Sequence, residues 1–439
     1  MTLLRSFTRF VAIATIVPLL AATALAGCVR INVQGDPEAW ADRMAESMNP
    51  IPSLRVATYN TSLYDDTEGG LVTRLQAGDP DARKIAAVLQ RVRPDVVLLN
   101  EFDYDPQQRA ADLFQRDYLE VALPGGGDPL HYRYRYLAPV NTGVPSGLEL
   151  APDQTGGRHT WGHGLHPGQY GMLLLSRHPI DSARVRTFQQ LKWSAMPDAR
   201  QPRDPATGAP WYPPQVWSQL RLSSKSHWDV PISTPLATVH LLAAHPTPPV
   251  FDGPENRNGL RNFDEIRLWA EYIGAGAKPW LCDDQGRCGV LPSTAQFVIV
   301  GDYNADPDDG DGLPGAIAQL LDHPRVNAGF VPRSAGAAER AAERGLPRNG
   351  DARSHTGDFG RRTGTLRLDY VLPSDNLDVR DGGVFWPARG SRDAAIAHAS
   401  DHYLVWLDLV EPAPRGIIER SRQLARLLLR RLPFGRRLL

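Results

Sequence analysis

The chain has 439 residues, room for one large domain or two ordinary ones, and its hydrophobic fraction of 42% permits a sizeable core. Its formal net charge of −1 hides an asymmetry: residues 1–27 carry Arg5 and Arg9 without an acid, residues 415–439 carry eight Arg against Glu419, and the body between them is left at −10. An acidic body argues against a nuclease that grips a long polyanion by charge, although bound divalent metal would offset part of it.

The first residues read as an export signal. Arg5 and Arg9 form its charged region, residues 10–20 its apolar region, and Leu25-Ala26-Gly27-Cys28 its end. That ending resembles a bacterial lipobox, which would make Cys28 the lipidated first residue of the mature chain. An uncleaved membrane anchor is the alternative, but the apolar run is short for a spanning helix and Pro18 interrupts it. The expectation is a lipoprotein at the bacterial cell envelope, with residues 28–53 as a polar, Pro-containing linker and residues 54–411 as the functional domain.

Residues 54–59 alternate and are β-rich, a strand that delivers Asn60 at its carboxyl end. Residues 79–92 carry apolar positions at helical spacing, with Asp79 placed as N-cap and Pro80 at the first helical position. Residues 95–100 form a buried strand that delivers Glu101. The stretch 124–168 reads as one long loop, and its His159, His163 and His166 lack a helical frame, so they read as surface histidines. Residues 170–177 form a strand with Tyr170 at its start. Residues 216–222 and 236–244 are read as further strands, the second ending in His245. A Pro-rich loop follows and gives way to an amphipathic helix with Leu260, Ile266, Trp269 and Ile273 on its apolar side.

Cys282 and Cys288 flank five residues. In an exported, oxidising setting they are expected to form a small disulfide loop, a metal site being the alternative. Residues 297–300 form a buried strand whose mouth bears Asp302 and Asn304, two positions apart and so able to face one side. Asp and Asn next to Gly and Pro also favour plain turns. Asp369 and Tyr370 fall in the middle of a strand over residues 366–372. Ser400-Asp401-His402 precedes a last strand over residues 403–409. Residues 415–439 read as a basic amphipathic tail that could lie on an anionic membrane. Lys225, His227, Arg257 and Arg261 read as solvated surface charge, with substrate contact the alternative.

Taken in order, Asn60, Glu101, Tyr170, His245, Asp302 with Asn304, Asp369, and Ser400-Asp401-His402 resemble the endonuclease/exonuclease/phosphatase superfamily. The set spans residues 54–409; no single motif is specific, but the ordered set is. The resemblance implies an α/β fold of two mixed β-sheets packed face to face, helices on their outer faces, and an active site at one rim. It also implies a Mg²⁺ or Mn²⁺ cofactor and a phosphoester substrate. The chemistry asks for the same residue types: a hard cation held by few oxygen ligands, an activated water, and help for the leaving oxygen. Glu101, Asn60 and Asp401 are then the metal ligands. Asp302 orients or deprotonates the water, Asn304 donates to a phosphate oxygen, and Asp369 pairs with His402 as an imidazolium. His245 contacts the phosphate or assists the leaving group, and Tyr170 hydrogen-bonds the phosphate, a core position for that aromatic being the alternative.

The leading expectation is a metal-dependent phosphoesterase acting as a monomer, anchored to the membrane by lipid and assisted by the basic tail. A nucleic-acid substrate is not favoured. The alternatives are a non-catalytic envelope lipoprotein that keeps the fold for binding, and a secreted nuclease.

Overall fold

The computed structural model describes residues 52–150 and 159–412. The export signal with Cys28, the linker through residue 51 and the basic tail from residue 413 lie outside the described residues. Among the described residues no helix is long and apolar enough to cross a membrane.

Two mixed sheets form the scaffold. The first is built from β1 (Ser53–Leu63), β2 (Val96–Phe102), β3 (Tyr134–Tyr136), β4 (Met172–Ser176), β12 (Asp378–Val384) and β13 (Val405–Val410). Its order is β12-β13-β1-β2-β4-β3. The second is built from β5 (Arg186–Thr187), β6 (His227–Ser233), β7 (Thr238–Ala244), β8 (Gln296–Asp302) and β11 (Asp369–Pro373). Its order is β11-β8-β7-β6-β5. A two-stranded ribbon, β9 (Gly357–Asp358) with β10 (Thr365–Leu366), lies outside both sheets. β1 runs parallel to β2 and β7 parallel to β8; the other pairings are antiparallel.

Alternation along each strand explains why the sheets stack. Val56, Val96, Leu98 and Leu174 of the first sheet pack against Val230, Leu241, Val298 and Val300 of the second in one buried cluster. The opposite faces need cover of their own. Ala57, Tyr59, Val97 and Leu99 are covered by helix α1 (Pro80–Val92) through Ile85, Val88 and Leu89. Leu242, Phe297 and Ile299 are covered by helix α2 (Arg257–Ile273) through Ile266, Trp269 and Ile273. Each large apolar side chain so buried contributes roughly 1.5–3 kcal/mol. The result is the two-sheet sandwich flanked by helices that the sequence implied.

α1 starts where Asp79 dictates: its Oδ1 accepts the N–H groups of Asp81 (2.9 Å) and Ala82 (2.8 Å), and Pro80 occupies the first helical position. Three readings need correction. Residues 216–222 hold no strand: Pro213 and Pro214 open a short helix, Pro214–Trp217, and turns follow it. Asp369 begins β11 instead of lying mid-strand, because the β10–β11 run breaks at Arg367. The long loop contains β3, which pairs with β4.

Parallel pairing aligns the carboxyl ends of β1 with β2 and of β7 with β8, and all four ends gather at one rim. Gly301 makes the approach possible in the second sheet. Its φ is +145°, and a Cβ there would sit 1.9 Å from the carbonyl oxygen of Ala244. Gly301→Ala is therefore expected to destabilise the domain by several kcal/mol, on the order of 4 or more, as for other backbone clashes in a core. Chemical denaturation of the two proteins checks this; a difference below about 1 kcal/mol would contradict it.

Candidate active site

Asn60 sits near the end of β1, opposite Asn100 of β2, so Glu101 follows one position further along the neighbouring strand. Asp302 ends β8 and is the register partner of Asp369, which opens β11. The two sheets meet through a side-chain bridge: Asn60 Nδ2 donates to Asp302 Oδ2 at 3.1 Å. A second cross-sheet bond, Asn100 Nδ2 to the Ala244 carbonyl at 3.4 Å, ties β2 to β7 beside it.

Around Asp302 the polar atoms form one chain. Its Oδ2 lies 3.4 Å from His245 Nε2 and 3.6 Å from His402 Nε2, and its Oδ1 accepts the backbone N–H of Asn304 at 2.9 Å. His402 Nδ1 is 2.8 Å from Asp369 Oδ2. Asp369 is held in turn by Thr356, whose hydroxyl donates to Oδ2 at 2.6 Å while accepting the N–H groups of Leu368 (2.9 Å) and Asp369 (3.1 Å). Asp302, Asp369 and His402 are all buried, and their ligand-type atoms lie within 4.8 Å of one another, so this group could hold a metal ion.

The electrostatics follow from burial and neighbours. Burial pushes the Asp302 carboxyl up to about 7, and the adjacent His402 charge only partly offsets it. Burial would lower His402, but the carboxylates of Asp369 and Asp302 overcome it and hold the imidazole well above its ordinary value, as an imidazolium. His245 is driven the other way: burial, with the charges of Lys225 and His402, keeps it neutral. Glu101 is raised by burial, against the attraction of His402 and Lys225 and a hydrogen bond from Asn60.

Several site residues adopt left-handed backbone: Ser62 (φ 50°), Glu101 (φ 56°), Tyr170 (φ 56°) and Asn304 (φ 51°). Each such residue costs of order 1–3 kcal/mol unless its surroundings fix it, and such strain gathers at functional sites. For Tyr170 the fixing partner is Asp103, whose Oδ1 accepts the Tyr170 N–H at 3.0 Å. The Tyr170 ring is half-buried against Tyr64, centroids 4.5 Å apart, and faces His163 at 6.3 Å. Its phenol is raised to about 12, first by burial and then by Tyr64 and Glu101.

Asp401 is exposed and receives only long contacts, from Ser62 Oγ at 3.5 Å and Ser400 Oγ at 3.4 Å. Asn304 spends one N–H on the Pro246 carbonyl at 3.2 Å. Cys282 and Cys288 are joined by a disulfide, in the segment that connects α2 to β8.

Several charged or ionisable groups depart from the expected surface location. Lys225 and His227 are buried, at 6% and 1% exposure, and His166 is buried with Nε2 3.0 Å from the Asp65 carbonyl. His227 is a structural histidine, bonded to Ser223 Oγ (2.6 Å) and the Glu265 carbonyl (2.9 Å). Arg261 is spent on the backbone carbonyls of Leu222, Trp161 and Arg221. Arg257 pairs with Glu255.

Two supporting residues have no signal in the sequence comparable to the strand-end motifs. Thr356 has no motif around it. Asn262 lies on the buried face of α2 and donates to the carbonyls of Thr247 (2.8 Å) and Tyr303 (2.9 Å), thereby pinning the loops that carry His245 and Asp302. Its one signal is position: it stands four residues before Ile266 on the apolar side of the helix.

A family model described as "Endonuclease/Exonuclease/phosphatase family" matches residues 57–402. No curated protein matches the sequence. Among solved structures, the chain is similar to sphingomyelinase C from Streptomyces griseocarneus (16% identity, 81% of this chain and 99% of that one, TM-score 0.39). It is likewise similar to an endonuclease/exonuclease/phosphatase family protein from Leptotrichia buccalis (12% identity, 81% and 99%, TM-score 0.43). A third is beta toxin from Staphylococcus aureus with bound magnesium ions (13% identity, 82% and 100%, TM-score 0.38).

Proposed function

The chain belongs to the endonuclease/exonuclease/phosphatase family, and on that premise we propose that it is a metal-dependent phosphoesterase whose Asp302 activates the attacking water. The observation that carries this reading is that two hydrogen-bonded pieces, Asn60–Asp302 and His402–Asp369–Thr356, face each other across 3.6 Å between Asp302 Oδ2 and His402 Nε2, with Glu101 beside Asn60.

Three carboxylates, Glu101, Asp302 and Asp369, crowd this rim. Burial raises Glu101, so a cation beside it would favour the ionised carboxylate, and the oxygen donors of Glu101, Asn60 and Asp401 suit a hard cation. Mg²⁺ or Mn²⁺ held by Glu101, Asn60 and Asp401 would neutralise phosphate charge. The Asp302, Asp369 and His402 group suits proton handling better, since an imidazolium nitrogen has no lone pair to give a metal.

The roles of the side chains follow. Asp302, fixed on one oxygen by Asn60 and on the other by the Asn304 N–H, accepts a proton from water near neutrality. His402, clamped through Nδ1 by Asp369, presents its Nε2–H to the phosphoryl or leaving oxygen. Neutral His245 has a single N–H, which either orients Asp302 through Nε2 or meets a phosphate oxygen, and it is a poor proton donor to a leaving group. Asn304 keeps one amide N–H for a phosphate oxygen, and Tyr170 keeps its hydroxyl proton for the same use.

The envelope location rests on residues 1–28, whose lipobox-like end supports a lipid anchor at Cys28. Cys28→Ser should shift the protein out of the membrane fraction. Unchanged partition would point to the apolar run or the basic tail instead.

The body carries −10, and the cleft of about 630 Å³ beside Asp401 is lined by Glu339, Glu343 and Asp358. Its arginines are already engaged: Arg340 with Asp358 and Glu343, Arg389 with Glu343. A small or lipid-derived phosphoester should therefore be turned over at least ~10-fold faster than duplex DNA. Hydrolysis of duplex DNA, phospholipid vesicles and a soluble diester at matched phosphate and salt tests this. Preferential DNA cleavage with a steep salt dependence would overturn it and make the protein a nuclease.

A further inference from the structure

Lys225 is 6% exposed. Among the described residues, its ammonium makes no hydrogen bond and no ion pair within 4.0 Å, although its own carbonyl accepts the Asn141 N–H at 2.9 Å. The stem is buried while Nζ itself keeps some contact with solvent, an unusual place for a lysine with no acid at contact distance. The nearest structural explanation is a counter-ion role toward Glu265. Glu265 is itself fully buried and is held by two backbone donors, Oε1 accepting the Ser224 N–H and Oε2 the Thr247 N–H, each at 2.6 Å, and among the described residues it forms no ion pair with Lys225 within 4.0 Å.

The strand register shows what Lys225 stands near: His227 pairs with Ala244 across β6 and β7, and Glu265 accepts both the Ser224 and the Thr247 N–H, so Lys225 and His245 share one end of the second sheet. After burial, the groups that influence it are Glu265, then Glu101 and Asp302, and Lys225 in turn acts on His245 and Glu101. His245 Nδ1 is also buried without a partner. A lysine whose stem is buried and whose Nζ opens at the His245 and Asp302 end of the sheet is placed to receive an oxyanion.

We propose that Lys225 is a further substrate-binding residue, whose ammonium receives a non-bridging phosphoryl oxygen beside Asp302 and His245. This rests on the phosphoesterase reading. It adds a positive charge on the base side of the phosphate that the Asp369-supported imidazolium does not supply. It also explains why residues 223–227 are buried as a block: Asn141 holds the segment through the Ser223 carbonyl (2.7 Å), and Glu265 through the Ser224 N–H.

Lys225→Met and Lys225→Arg test it, with two readouts. In calorimetry, inorganic phosphate should bind Lys225→Met at least ~10-fold more weakly than wild type, with Lys225→Arg in between. In turnover of a chromogenic diester, kcat/KM of Lys225→Met should fall at least ~100-fold while the melting temperature is held or rises. Phosphate affinity and kcat/KM within threefold of wild type in a folded Lys225→Met would overturn the proposal. So would failure of both Lys225→Met and Lys225→Gln to fold, which would assign Lys225 to Glu265. A wild type that binds phosphate through Lys225 but hydrolyses no phosphoester would instead count against the enzymatic reading alone.

Discussion

Asp302→Asn is expected to lower kcat by about 10³-fold, within the 10²–10⁴ range of general-base catalysis, while leaving the fold intact. The amide keeps the size of the carboxylate, but its single oxygen can accept from Asn60 or from the Asn304 N–H and not from both, so one of the two hydrogen bonds is lost. What it loses is the capacity to take a proton from water. Because Asp302 is 1% exposed and shared by both sheets, a structural role is the competing explanation. The two separate in the melting curve: loss of kcat in a protein that still unfolds cooperatively, its midpoint lowered by no more than one lost hydrogen bond allows, supports the base assignment. An Asp302→Asn protein that stays folded and retains more than about a tenth of wild-type kcat would refute it.

The second large effect is the non-additivity of His402 and Asp369. The 2.8 Å bond between them and the Thr356 clamp behind Asp369 make the pair one device. Asp369 fixes the ring and supplies the field that keeps it protonated; without it, burial would pull His402 down toward neutrality. His402→Ala and Asp369→Ala should each cost about 10²–10⁴ in kcat/KM, and the double variant little more than the worse single one, as for residues that act as a unit. Losses that multiply would show that the residues act independently. Thr356→Val should reproduce a weakened Asp369 variant, since it removes the donor to Oδ2 and leaves two backbone N–H groups without their acceptor.

Much of this site is legible in the sequence because of where its residues stand. Asn60, Glu101, His245 and Asp302 each follow an apolar, β-rich run, and a polar side chain at a strand's mouth is visible without coordinates. The helix α1 is equally plain, since Asp79 and Pro80 mark its start. Strand β6 is not. Its HWDVPIS contains Asp229 and Pro231, both of which argue against a strand, and tertiary partners outweigh that local preference. Asp229 is buried because His240 Nδ1 (2.7 Å) and the Tyr272 hydroxyl (2.5 Å) satisfy it, and neither partner is close in sequence. The same limit applies to Lys225 and His227. A charged residue in a polar stretch reads as surface, and only the packing of α2 over residues 223–227 shows otherwise. Thr356 carries no signal a single chain could give, and Asn262 only its place on the helix face, because each acts through hydrogen bonds chosen by the fold.

The central claim is that this rim hydrolyses phosphoesters with a divalent cation held by Glu101. Its most direct test is the hydrolysis of a chromogenic phosphodiester by residues 31–439, stripped of metal and titrated with Mg²⁺ and Mn²⁺, beside Glu101→Gln. Turnover that vanishes in chelator, returns on metal addition, and in Glu101→Gln needs far higher metal and stays at least ~100-fold lower is the predicted result. Turnover that is indifferent to chelator, or a Glu101→Gln protein that matches wild type at low Mg²⁺, would contradict it.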